Sequence, residues 1–161
     1  MKFKERLNRV LEITLVVLMS VLVIDVLWQV FSRYLLSSPS SFTDELAGYL
    51  LIWVGVLGGA YVAGRREHLA IDIMIQRSGP KRRRRLQMII YLSIFLFALF
   101  VMVIGGVVLM YTRFVLGVRS AALQLPLGYV YIVLPISGLI IMYYEMLHIL
   151  ELRKSSTGKT D

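Results

Sequence analysis

The 161-residue chain has no cysteine, two histidines and only ten acidic side chains. Without cysteine there is no disulfide, no cysteine-ligated metal site and no thiol redox chemistry. His68 and His148 both fall near the ends of apolar runs. A haem gripped by histidines on facing membrane helices needs two such ligands inside the spans, and they are not available. Long polar stretches are also missing, which leaves no room for a soluble domain.

What the chain does have is apolar length. Hydrophobic residues make up 58% of it, above the 45–50% usual in soluble domains. Mean hydropathy is +0.74. A membrane helix needs about 20 mainly apolar residues. Four runs qualify: Val10–Phe31, Leu46–Ala63, Leu86–Tyr111 and Leu125–Leu150. The expected fold class is therefore all-α, four transmembrane helices in one domain over residues 1–154, with a disordered tail from Ser155 to Asp161. The first run is too long for a signal-peptide core and no Ala-x-Ala site follows it, so it reads as a retained span.

The net charge is +8, and its placement argues for topology, not for nucleic acid. Fifteen of the eighteen Lys and Arg residues lie in the head (Lys2, Lys4, Arg6, Arg9), the 64–85 loop and the tail. The 32–45 loop has only Arg33, and the 112–124 loop has Arg113 and Arg119. The positive-inside rule then places both termini and the 64–85 loop in the cytoplasm. In that loop Leu69–Ile75 is apolar but too short to span, and an interfacial segment is expected there. Arg65, Arg66, His68, Asp72, Arg82 and Arg83 are the candidate contacts with the inner interface, and the Lys81–Arg85 run suits anionic phospholipid headgroups.

Local signals mark the helix ends. Ser41-x-x-Asp44 reads as a capping box, with Asp44 and Glu45 suiting the positive end of the helix dipole. Ser78-Gly79-Pro80 and Pro126 open the third and fourth spans. Pro135 is expected to kink the fourth.

Few residues inside the spans carry polar chemistry. Asp25 is costly within a membrane. Asp25, Gln29 and Arg33 stand at i, i+4 and i+8 on one face. That stripe reads as a contact with another helix or subunit, the alternative being an ion- or proton-coupling carboxylate. Asp44 and Glu45 read as a cap and partner contact, the alternative being a cation site. Glu145-x-x-His148 resembles half of a di-iron motif whose second half is missing, so interfacial charge pairing with Arg153 is expected instead. Gly55-x-x-x-Gly59 allows close helix approach, as do Gly105 and Gly106. No catalytic, substrate-binding, cofactor or metal-ligating residues are expected.

In sequence order, several of these features resemble a known family. Arg33-Tyr34 ends the first span. Ser41-Phe42-Thr43-Asp44-Glu45-Leu46-Ala47 is similar to a Ser-Trp-Thr/Ser-Glu-Glu-Leu-Ala signature, with Phe42 for Trp and Asp44 for the first Glu. Trp53, Gly58-Gly59-Ala60, Arg65/Arg66, His68 and Ile71-Asp72 follow. Then come Ser120-Ala121-Ala122-Leu123-Gln124-Leu125-Pro126, Tyr129 and Pro135. Together these resemble the small membrane (Q, DctQ-type) subunit of tripartite ATP-independent periplasmic (TRAP) transporters. The resemblance implies a non-catalytic subunit of a sodium-coupled organic-acid importer in the bacterial inner membrane. Its partners would be a large elevator-type membrane subunit, which it scaffolds, and a periplasmic binding protein, which it helps dock. A competing reading is an autonomous proton-coupled exporter that uses Asp25.

Overall fold

The computed structural model describes residues 2–36, 40–65 and 80–157. Arg66, His68, Asp72 and the Leu69–Ile75 segment lie outside the described residues. Four helical spans, and no strand, are present among the described residues. The first is α1, Lys2–Tyr34, and the second is α2, Ser41–Arg65. The third opens as α3, Pro80–Phe97, passes through a π-helical stretch, Ala98–Gly105, and closes as α4, Gly106–Val115. The fourth is a single turn, α5, Leu127–Tyr131, followed by α6, Val133–Thr157.

Most span ends fall a few residues beyond the expected runs, and three differences carry a physical reason. α1 begins eight residues early, because the basic head Lys2–Arg9 still has good helix formers and Glu5 in its first turn. α6 continues to Thr157, into the stretch expected to be disordered. The fourth span breaks at Ile132, ahead of Pro135. Pro135 thus sits in the first turn of α6, where its missing N–H costs nothing. The carbonyl of Val130 beside the break accepts a 3.0 Å hydrogen bond from Trp53 Nε1 on α2. We expect Trp53→Phe to lower thermal stability in detergent by about 0.5–1.5 kcal/mol, the worth of one such bond. An unchanged melting curve would show that water serves that carbonyl equally well.

The spans stand in a row and do not close into a square. α1 packs on α2, α2 on α6, and α6 on α3 and the π-helical stretch. Among the described residues the third span makes no backbone-level packing with the first or second. The fourth span, in the middle, has 44% of its apolar window buried, and the other three have 11–17%. Two apolar clusters hold the row together. Leu11, Leu57, Val133 and Tyr144 join α1, α2 and α6. Ala60, Ala63, Ala98 and Ile141 join α2, α6 and the π-helical stretch. The second cluster is built from small residues, which let backbones approach where lipid supplies no hydrophobic drive.

Of the glycines expected to enable close approach, Gly106 does so and Gly55 and Gly59 do not. Gly55 and Gly59 have open space where a Cβ would stand. A Cβ on Gly64 would lie 2.7 Å from the Tyr144 ring, one on Gly106 2.9 Å from Leu134 Cβ, and one on Gly138 2.8 Å from Met102 Cβ. The sequence motif fails as an internal packing device because α2 turns its Gly55–Gly59 edge away from every described neighbour.

A clamped hairpin at the end that carries Asp44 and Glu45

The polar chemistry concentrates where α1 ends, α2 begins and the third span turns into the fourth. Residues 116–126 form a small hairpin. Gly117 and Gln124 adopt left-handed backbone conformations, with φ of 60° and 54°. Ser120 N donates to Leu125 O at 2.9 Å, and Leu127 N donates to Val118 O at 3.0 Å. Arg119 and Pro126 form an isolated bridge between them. This geometry turns the consecutive amides of Ala121, Ala122 and Leu123 toward a single point.

Glu45 occupies that point. Its Oε1 accepts from Ala121 N at 2.9 Å, and its Oε2 accepts from Ala122 N at 2.9 Å and Leu123 N at 2.8 Å. Tyr49, one turn along α2, donates its hydroxyl to Oε1 at 3.0 Å. Three successive N–H groups form a concave anion cradle. A carboxylate from 76 to 78 residues away fills it, so α2 is stapled to the hairpin by charge-assisted bonds.

Asp44 serves a different neighbour. Its Oδ1 accepts from Gln29 Nε2, which ties α1 to the start of α2. The cap itself lies one residue earlier than expected. Ser40 Oγ accepts from Thr43 N at 3.5 Å, and Thr43 Oγ1 donates to Ser40 O at 3.0 Å. Ser40 therefore caps α2 and Ser41 is its first helical residue. The box Ser41-x-x-Asp44 is displaced because Asp44 is drawn off to Gln29.

The stripe on α1 is divided. Asp25 is buried, 8% exposed, and its Oδ2 has no hydrogen-bond partner among the described residues. Gln29 is half-buried against α2, Ser32 is buried with its Oγ bonded to Gln29 O at 3.0 Å, and Arg33 is exposed. Beneath the hairpin an apolar crevice of about 290 Å³ is lined by Leu18, Leu46, Leu50, Trp53 and Tyr129, among others.

At the opposite end of the row two residues expected near the membrane edge are buried. Glu145 and His148 are 0% and 1% exposed, and His148 Nδ1 lies 3.9 Å from Glu145 Oε2. The His148 ring leans on Tyr91 of α3 at 5.3 Å. They are interior because α6 is the central helix and a spacing of three keeps both on its packed face. Arg65 stands over the Tyr61 ring at 5.1 Å, and Arg82 and Arg83 are exposed. Arg84 Nη2 donates to Leu152 O at 3.2 Å, which binds α3 to α6. No group of three or more His, Asp or Glu side chains that could hold a metal occurs among the described residues.

The resemblance read from the sequence extends to a whole-family comparison. The profile of the DctQ component of tripartite ATP-independent periplasmic transporters matches residues 22–155. The chain is 25% identical over 156 residues to the sialic acid TRAP transporter small permease protein SiaQ of Vibrio cholerae, covering 94% of this chain and 86% of that one. It is 28% identical over 74 residues to a putative TRAP transporter small permease protein of Haemophilus influenzae, covering 46% of each. A third match, 33% identical over 73 residues, is to the sialic acid TRAP transporter permease protein SiaT of Haemophilus influenzae, of which it covers 12%. The matched stretch thus spans about half of one Haemophilus relative and a small part of the other. With four membrane-length helices and a family match across most of its length, the chain belongs to the DctQ component family of tripartite ATP-independent periplasmic transporters, a multi-pass transport component of the bacterial inner membrane and not an enzyme.

Proposed function

We propose that the chain is the small scaffold subunit of a sodium-coupled, binding-protein-dependent importer of organic acids. Both termini face the cytoplasm and the clamped hairpin faces the periplasm. A larger, elevator-type membrane subunit packs along the open faces of the row, and the hairpin end helps dock the periplasmic binding protein. The observation that carries this reading is the row itself: three of four spans bury under a fifth of their apolar windows within the chain. Such surface suits a partner as well as lipid. Two of the relatives are named for sialic acid, which supports an organic-acid substrate, and one is a permease far longer than this chain. At the terminal end the exposed Arg82 and Arg83, with Lys81–Arg85 around them, suit anionic headgroups.

The test is co-expression with the larger membrane subunit and reconstitution with the binding protein. The complex should co-purify and take up an organic acid only with a sodium gradient. The chain alone should be inert. Gly55→Leu with Gly59→Leu should leave the isolated chain folded, since both positions are open, yet reduce co-purification. Transport by the chain alone would overturn the proposal. Asp25, buried with an unpartnered oxygen, favours the exporter reading as the one to exclude. Solo proton-coupled efflux that is lost in Asp25→Asn would establish that reading instead.

A further inference from the structure

Among the described residues Arg113 is a cation without an anion. It stands in the last turn of the third span, half-buried, with its guanidinium 5.9 Å over the Tyr131 ring. Its Nε–H is buried and has no hydrogen-bond partner. The two acids at the start of α2 are taken: Asp44 holds Gln29, and Glu45 fills the amide cradle and holds Tyr49. No ion pair to Arg113 occurs among the described residues. A buried guanidinium donor left unmet costs more than an ordinary missing hydrogen bond. The last-turn position helps the helix dipole, and the Tyr131 ring attracts the charge. Neither supplies an anion, and because Nε itself is closed to groups from outside, it is the accessible remainder of the half-buried side chain that is open to one.

We infer that Arg113 binds an anionic oxygen group from outside the chain, and that this group is the phosphodiester of a membrane phospholipid. The span ends at a membrane interface, where phosphodiesters are the concentrated anion. A planar guanidinium presents paired donors matched to two phosphate oxygens. The neighbouring Tyr129 and Tyr131 are residues of the interfacial type. The argument requires only that the third span ends at an interface, in either leaflet, so it does not depend on the transport reading.

Native mass spectrometry of the full chain in detergent, titrated with dioleoylphosphatidylglycerol or with phosphate-free dioleoylglycerol, tests it. Wild-type protein should retain one phosphatidylglycerol that Arg113→Gln retains about tenfold more weakly, the loss of one charge-assisted contact. Arg119→Gln, at an exposed arginine of the adjoining hairpin, should retain it as wild type does. Dioleoylglycerol should bind wild type and Arg113→Gln alike. Excess inorganic phosphate should not displace the lipid; displacement would assign the site to free oxyanions and overturn the lipid assignment. Equal phosphatidylglycerol retention in wild type and Arg113→Gln would overturn the inference. Equal retention with loss of a co-purifying membrane subunit would assign Arg113 to a partner carboxylate instead.

Discussion

Replacing Glu45 with alanine should release the 116–126 hairpin from α2 and accelerate amide exchange at Ala121–Leu123 by on the order of tenfold or more. The three amides have no other acceptor in the hairpin: its internal bonds use Ser120, Leu125 and Leu127 as backbone donors. Glu45→Gln should fall between wild type and alanine. The amide keeps one oxygen and substitutes an NH2 donor for the other, so at least one backbone N–H meets a donor. Because Ala121 bonds one oxygen and Ala122 and Leu123 the other, neither rotamer satisfies all three. Asp44→Asn is the control, since Asp44 holds Gln29 and touches no hairpin amide. Exchange measured by mass spectrometry over peptides covering 118–126 decides it. Identical protection in wild type and Glu45→Ala would mean the hairpin is held by its own turns. In the reconstituted complex, Glu45→Ala should also depress uptake more than Asp44→Asn does.

Gly138→Ala should destabilise the chain by about 1–3 kcal/mol, whereas Gly55→Ala and Gly59→Ala should be neutral or mildly stabilising. Two effects compete at each position. Alanine gains up to about 1 kcal/mol over glycine in a helix interior. Overpacking costs about 1–3 kcal/mol when the neighbours cannot move. At Gly138 the added Cβ would meet Met102 Cβ at 2.8 Å, Val103 Cγ2 at 2.9 Å and the Ala98 carbonyl at 3.2 Å. The last is backbone, Met102 is struck at its Cβ stem, and Val103 is struck at a methyl of a β-branched side chain that is stiff in a helix, so the steric cost wins. At Gly55 and Gly59 nothing lies within 4 Å, so propensity wins. Thermal unfolding of the three single variants in one detergent separates the two regimes. A stable Gly138→Ala would mean that the third and fourth spans slide apart freely.

The spans were legible because hydropathy over twenty residues is a strong, local signal. Their ends were not, because helix continues wherever propensity and hydrogen bonding allow, as in the polar head Lys2–Arg9 and the tail to Thr157. Pro135 pointed to a break in the correct span but not to its place: a proline is tolerated in the first turn, so the helix reset just ahead of it. Glu45 was legible as a residue of the α2 start and partner contact. Its cradle was not, since backbone amides leave no mark in the side-chain sequence. Gly55 and Gly59 matched a packing motif that the fold left facing outward, while Gly106, which was legible, and Gly64 and Gly138, which have no such spacing, carry contacts. Glu145 and His148 were assigned to the membrane edge because span four could not be recognised as the central one from hydropathy alone.

The π-helical stretch Ala98–Gly105 places a constraint on inheritance. A wider turn accommodates a residue that an α-helix would not, so the stretch behaves as an insertion absorbed into the span. Deleting one residue within it would restore α-helical winding with the two halves facing as before, whereas a one-residue change in the flanking α-helices would swing one half of the span about 100° relative to the other. The lower half is pinned by Arg84 to Leu152, and the upper half is seated with Gly106 against Leu134 and Pro135. Both attachments are to the fourth span, and no single rotation keeps both. Loss of one residue should therefore be tolerated within this stretch and purged from the helices on either side of it, where the count of residues sets which face meets the fourth span.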